Sequence, residues 1–352
     1  MIYSCFNNIC VSAIAACVPE GIVEINSLKE TEDPEMIDNF IKKTGIVKIH
    51  KSGFDQTASD FSYSAAKLLE NAGKYKPEEI GVLLDITQTP DYRTPSTALA
   101  LHKRLGLDKS CIAFDINLGC SGFVYGVSVA ASLLETSTAS KALVLVGDTL
   151  ARGRLKPTKK YKRASNTSLL FGDASVAFLV EKKTGSRIDT ALMSDGTGHK
   201  ALSNVYGAWK HPDKRPSLPG DDLAVFNFTI NEVPPLIKEF MEKTNTMIEN
   251  YDALVLHQAN MMIMKQIAKK VKMPIEKVPV SLDRFGNTSG ASVPLTIVDK
   301  YGQCNDGQEL NLLTSGYGVG LSWGVVSFKI NVDDIFPLCI GKDTYDDGYP
   351  DE

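Results

Sequence analysis

The sequence predicts an α/β fold assembled from two successive series of strands and helices. Two observations carry this. Short runs rich in Val, Ile, Leu and Ala recur along the chain with little polar alternation, as strands covered on both faces read. Between them lie segments whose apolar residues recur at helical spacing, and strands that alternate with helices build α/β sheets.

Taken in order, a buried first strand is expected within 9–18, followed by strands over 81–86, 112–116, 142–146, 174–180, 253–256 and 310–313. Helices are expected over 61–72, 124–134, 233–244 and 261–271. The two series divide the chain into 1–180 and 181–332. No clear internal repeat relates them, so a duplicated fold rests on element order alone. The stretch 194–222 is rich in Gly, Pro, Lys and Asp and reads as a long surface excursion, the kind of loop that lines binding sites. Residues 333–352 form an acidic C-terminal extension, and from Asp343 onward it has no apolar pattern and reads as a poorly ordered tail.

At 352 residues the chain is long enough for two domains or two halves around a shared core. Its 43% hydrophobic and 23% charged content excludes a disordered or fibrous protein. A net charge of −4 gives no electrostatic reason to expect nucleic acid as a partner. The seven cysteines are odd in number and include no CxxC pair, which argues against a disulfide framework or a zinc site and for reduced thiols in a cytosol. Ile14-Ala15-Ala16-Cys17 imitates a lipoprotein cleavage site, but no Lys or Arg precedes Lys29 to form a signal's basic region. The apolar run 9–18 is also too short to span a membrane. A cytoplasmic protein without a membrane partner or a metal is the expectation.

The segment Phe114-Asp115-Ile116-Asn117-Leu118-Gly119-Cys120-Ser121-Gly122-Phe123 is the most informative in the chain. It places Cys120 between a strand and a helix, flanked by glycines that permit a tight turn and a close ligand. The helix N-terminus is expected to lower the thiol pKa and make Cys120 a nucleophile toward a thioester. The same pattern also fits a small residue filling a turn.

His257 follows the apolar run Ala253-Leu254-Val255-Leu256, at the strand edge where functional residues of α/β sheets gather. Asn287 lies in the glycine-rich stretch Arg284-Phe285-Gly286-Asn287-Thr288-Ser289-Gly290-Ala291-Ser292. Each alone fits a structural role. Together with Cys120 they suit decarboxylation of a malonyl thioester, because two neutral donors can stabilise the enolate oxygen without losing a proton. Ser315-Gly316-Tyr317-Gly318-Val319-Gly320 can pass its backbone close to a substrate. The N–H groups of Cys120 and Gly318 then form a candidate oxyanion hole, with a bulged hairpin as the plainer reading.

These segments, in this order, resemble the β-ketoacyl-acyl-carrier-protein synthase III family. The resemblance runs from about residue 9 to 328 and includes Thr44-Gly45-Ile46, Phe171-Gly172-Asp173-Ala174-Ser175, Leu256-His257-Gln258-Ala259-Asn260 and Gly286-Asn287-Thr288-Ser289. It implies a thiolase-like fold, two similar α/β halves in a five-layered αβαβα arrangement, as a homodimer. It implies acylation of Cys120 from acyl-coenzyme A or an acyl carrier protein, then condensation with malonyl-acyl-carrier-protein to a 3-oxoacyl product. No tightly bound cofactor is implied. His257 and Asn287 would carry the decarboxylation.

The chain departs from the family's pattern at Asn39 and Val47, where a Trp and an Arg that grasp coenzyme A are usual, and near Ser165, close to Arg163, where a second Arg is. Thr94, before Pro95-Ser96, stands where a bulky aromatic limits the acyl pocket, which implies acyl groups larger than acetyl. Met262 replaces a carrier-docking Arg, while Lys265, Lys269, Lys270 and Lys272 follow on the same helix. Lys265 and Lys269 share a face, as a carrier-protein docking surface or simply a solvated one. Two other functions fit the same residues: acyl transfer from Cys120 to a hydroxyl or amine, and a non-catalytic partner subunit.

Overall fold

A computed structural model describes residues 1–152, 169–205, 209–210 and 221–348. The strands are β1 (Ile2–Pro19), β2 (Ile22–Glu24), β3 (Lys48–His50), β4 (Ile80–Ile86), β5 (Ile112–Ile116), β6 (Lys141–Asp148), β7 (Ala174–Ser194), β8 (Ala253–Leu256), β9 (Glu309–Gly318), β10 (Ser322–Asn331) and β11 (Cys339–Gly341). The helices are α1 (Pro34–Thr44), α2 (Ala58–Asn71), α3 (Thr97–Arg104), α4 (Gly122–Thr136), α5 (Asp222–Thr244), α6 (Met261–Val271), α7 (Leu282–Phe285) and α8 (Ser292–Tyr301). Every strand expected from sequence is present, and α6 has the expected bounds.

The strands run in the order β5-β4-β6-β7-β10-β9-β8, with β1 alongside β7. β7 belongs to both halves. Its residues 174–181 pair with β6 and its residues 189–194 with β10, and β1 pairs with it over 175–182 and again over 187–192. The expected division at residue 180 therefore falls inside a strand, not in a linker.

Strand alternation sorts the apolar residues into layers. In β4, Val82, Leu84 and Ile86 face one core and Leu83 another; in β6, Val144 and Val146 are set against Leu143 and Leu145 in the same way. α4 and α8 fill the central core between the two half-sheets. α2 and α3 cover the outer face of the first half, and α5 and α6 that of the second. This gives the five layers. It also explains why α4 is apolar all round, since a helix between two sheets has no face left for water.

α5 begins eleven residues before the expected start, capped by the Asp221 carboxylate on the Ala224 N–H at 2.9 Å. Pro234 and Pro235 sit inside it. Proline has no N–H for the carbonyl four residues back, and that carbonyl, of Ile230, instead accepts from Lys270 Nζ at 2.6 Å.

The C-terminal extension corrects the sequence expectation. Its described residues are docked: β11 pairs in parallel with β1, Cys17 facing Cys339. The Tyr345 N–H donates to Asp60 Oδ1 at 3.1 Å, and the Tyr345 ring stacks 4.2 Å from the Arg104 guanidinium. Arg104 bonds Asp60 at 3.1 Å and also lies over the Tyr63 ring. A tail without a periodic pattern is thus held by a buried ion pair rather than by an apolar face. All seven cysteines are free. No helix among the described residues is long and apolar enough to cross a membrane.

The Arg104 and Asp60 side chains are 6% and 4% exposed. Arg104→Ala leaves a buried carboxylate unpaired and should destabilise the fold by about 3–5 kcal/mol. A lowered urea midpoint, with earlier proteolytic loss of the C-terminal segment, is the expected result.

Candidate active site

Cys120 lies in the turn between β5 and α4. The Gly122 N–H closes that turn on the Gly119 carbonyl at 2.7 Å. β9 crosses directly over the thiol: a Cβ on Gly318 would lie 2.7 Å from the Cys120 Cβ and 3.0 Å from its sulfur. Only glycine permits this approach. The amides of Cys120 itself and Val319 lie by the sulfur.

Burial works against the expected acidity of the thiol. Burial, aided by the charge of Asp148, pushes the Cys120 thiol up to about 12. The Ser289 hydroxyl and the two amides pull the other way and lose.

His257 continues β8, its N–H donating to the Ser315 carbonyl at 2.9 Å. Its Nδ1 is 2.6 Å from Ser292 Oγ at the start of α8, and its ring meets that of Tyr317 edge-on at 5.4 Å. The Tyr317 hydroxyl donates to the His257 carbonyl at 3.0 Å. Burial lowers the imidazole to about 3, so it is neutral at any ordinary pH. Gln258 braces the turn, its Oε1 accepting from the Ser281 N–H at 3.0 Å.

Asn287 is clamped between chain segments of both halves. Its N–H donates to the Leu170 carbonyl at 2.9 Å and its carbonyl accepts from Gly172 at 3.1 Å. Its Oδ1 accepts from the Ser289 N–H at 2.9 Å, which leaves the amide NH₂ free to point elsewhere. The neighbouring Asp173 carboxylate fixes the same region by accepting from Ser52, Ala151 and Arg152.

Ser289 joins the set. Its side chain lies by Cys120 and accepts from Gln88 Nε2 at 2.9 Å, its carbonyl faces the His257 ring and its N–H holds Asn287. The three residues are 5%, 2% and 5% exposed. The structure therefore brings together a thiol, a neutral imidazole and a carboxamide in one closed site.

Two family models match the chain. Residues 114–196 match 3-oxoacyl-[acyl-carrier-protein] synthase III, and residues 241–330 match the C-terminal region of the same synthase. A β-ketoacyl-[acyl-carrier-protein] synthase III of Clostridium perfringens is 32% identical over 326 residues, covering 89% of this chain and 96% of its own. One from Xanthomonas campestris is 33% identical over 325 residues, with the same coverage. The crystal structure of a 3-oxoacyl-(acyl-carrier protein) synthase from Burkholderia xenovorans superposes with a TM-score of 0.88 at 30% identity, covering 96% of this chain and 99% of that one. The chain belongs to the 3-oxoacyl-[acyl-carrier-protein] synthase III family. It is an acyltransferase of that type, with the thiolase-like fold.

The other positions singled out in the synthase sequence fall outside this closed site. Thr94 is exposed on the loop between β4 and α3. Asn39 is exposed on α1, Val47 is 42% exposed and Met262 is 52% exposed at the start of α6. The turn at Gly45 abuts Met261. Ser165 and Arg163 lie outside the described residues, as do 206–208 and 211–220 of the 194–222 excursion. Lys265 and Lys269 are exposed on α6, whereas the Lys270 ammonium is engaged by Ile230 and Lys272 forms the left-handed C-cap. Among the described residues no group of three or more His, Cys, Asp or Glu side chains is placed to hold a metal.

Sequence reasoning missed Gln88, Asp148, Ser289 and Ser292. Ser289 and Ser292 stood within the Asn287 segment but carried no signal of their own. Gln88 lies just past the C-terminal edge of β4, and that position is the hint that was available.

Gly318→Ala should slow acylation of Cys120 on the order of a hundredfold by pushing β9 off the thiol; the rate of thioester formation measures this. His257 gives a pH prediction. Its folded pKa of about 3 is below the ordinary 6.5, so the unfolded chain takes up a proton that the folded one refuses. Stability is complete above about pH 6.5 and falls as the pH drops toward 3. Urea midpoints of His257→Gln should fall less steeply over that range.

Proposed function

We propose that the protein self-acylates on Cys120 and condenses the acyl group decarboxylatively with malonyl-acyl-carrier-protein to give a 3-oxoacyl-acyl-carrier-protein. The observation that carries this reading is the convergence of Cys120, His257 and Asn287 on Ser289. The Cys120 sulfur attacks the donor thioester, forming a new thioester and releasing the donor's thiol, which takes the Cys120 proton. Malonyl decarboxylation then places negative charge on the thioester oxygen. The neutral His257 imidazole and the Asn287 amide are the donors that meet it. The resulting carbanion attacks the acyl carbonyl and returns the thiolate. Backbone amides at Cys120 and on the 318–319 turn stabilise the tetrahedral oxyanion.

The donor is an acyl-coenzyme A or an acyl carrier protein, and the reaction uses no tightly bound cofactor. Lys265 and Lys269 offer an acidic carrier protein a pair of exposed cations. β5 is an edge strand, with Ile112 46% exposed and Thr94 on the loop beside it. This favours a cytoplasmic homodimer that joins along that edge and sets Thr94 at the partner's acyl pocket.

The test is intact mass after incubation with acyl-coenzyme A and acyl-carrier-protein donors of increasing length. A gain equal to one acyl group, absent from Cys120→Ala, is expected, with donors longer than acetyl accepted. No gain with any donor would remove the self-acylating reading.

A further inference from the structure

An oxyanion hole works only if its donors stay at a fixed height over the reacting carbonyl. Here that height is set by the turn between β9 and β10, residues 319–321. The two strands end on a rung that pairs Gly318 with Ser322, and Gly318 is the residue that closes over Cys120. On its outer side the turn is held by Asp195, just past β7. The Asp195 N–H donates to the Leu321 carbonyl at 2.8 Å, and the Leu321 N–H to the Asp195 carbonyl at 2.9 Å.

On its inner side the turn is held by the residue after the nucleophile. Ser121 Oγ lies 2.7 Å from Ser322 Oγ, and Ser322 Oγ lies 2.7 Å from the Val319 carbonyl oxygen. Ser121 is fully buried and Ser322 is 4% exposed. The direction of each proton follows. A backbone carbonyl only accepts, so the Ser322 hydroxyl donates to Val319. Its proton is then engaged, and the Ser121 hydroxyl must donate to Ser322. Ser121 stands at the N-cap of α4, where a serine side chain ordinarily accepts from an amide of the first turn. It makes no such bond here. Its hydroxyl reaches across to β10 instead, and ties the nucleophile turn to the turn above it. The backbones of the two already touch: a Cβ on Gly316 would fall 2.9 Å from the Cys120 carbonyl oxygen and 3.1 Å from the Ser121 Cα.

The structure assigns Ser121 and Ser322 as positioning residues for acyl transfer to Cys120: the line of hydrogen bonds from Ser121 through Ser322 to Val319 fixes the β9–β10 turn relative to the thiol, so that the backbone amides at 318–319 meet the thioester oxygen as it becomes an oxyanion. Attack by the sulfur makes the donor carbonyl tetrahedral and puts negative charge on its oxygen. A small displacement of the amides then costs rate without costing binding. This inference rests on Cys120 as the acylated nucleophile and on the oxyanion hole of the proposed function.

The experiment compares two reactions of one thiol in the full chain, in Ser121→Ala, in Ser322→Ala and in the double variant. One is acylation by the acyl-coenzyme A or acyl-carrier-protein donor that the parent takes fastest, read by intact mass. The other is alkylation by iodoacetamide, located by peptide mass. Acylation develops an oxyanion, whereas alkylation displaces iodide from a saturated carbon and develops none. Each single variant should be acylated about tenfold more slowly at saturating donor, with the half-saturating concentration unchanged. Its alkylation rate should stay within about twofold of the parent's. The double variant should be no slower than Ser322→Ala, because both hydroxyls act through one tie. Thermal unfolding identifies variants that have not folded. Should Ser322→Ala be one of them, Ser121→Ala breaks the same tie and decides alone. Folded variants acylated at the parental rate would overturn the inference. So would acylation and alkylation slowed by the same factor, which marks a displaced thiol rather than displaced amides. A parent that is alkylated at Cys120 but takes no acyl group from any donor would remove the proposed function, and this inference with it.

Discussion

The site depends on the turn at Ser289. One residue lies beside the thiol, faces the imidazole with its carbonyl and holds the carboxamide with its N–H. Each of those groups arrives on a different element: the α4 turn, the end of β8 and the stretch after α7. The left-handed backbone at Ser289 is what lets three polar atoms of one residue point three ways. The turn is itself seated by the Asn287 backbone bonds to Leu170 and Gly172, from the other half of the molecule. Local strain is thereby fixed by non-local contacts.

Burial acts on the two reactive groups in opposite senses. It keeps His257 neutral, as a donor to an enolate oxygen must be if its proton is to stay on the ring. It also opposes ionisation of Cys120. A site dry enough to protect a carbanion from water is a poor place to make a thiolate. The donors around the sulfur are the local answer to that conflict, and they explain why polar residues crowd a site that is otherwise closed.

Much of this was legible in sequence, and the exceptions have physical causes. β5 and α6 were read to the residue, because an apolar run or a capping Asn260 marks their ends locally. β7 was read as 174–180 but continues to Ser194, since residues 181–187 include charged side chains that face solvent where the strand passes from one half-sheet to the other. The docked tail was missed because Tyr345 finds Arg104 and Asp60 far away in the chain. Cys120, His257 and Asn287 were visible through residue type and setting. The thiol's acidity and the part of Ser289 were not, since both depend on what three distant segments enclose.

β1 and β7 lie side by side in both half-sheets, their ladder interrupted only where residues 183–186 leave it. Two bodies stitched by a pair of hydrogen-bonded strands at their centre have no axis about which to swing. The seam that holds the reactive groups cannot gape and shut as a cleft between hinged lobes does. Admission and release therefore fall to surface loops and side chains. The framework keeps its spacing through a reaction in which a thioester is made, a carboxylate is lost as carbon dioxide and a carbon–carbon bond forms.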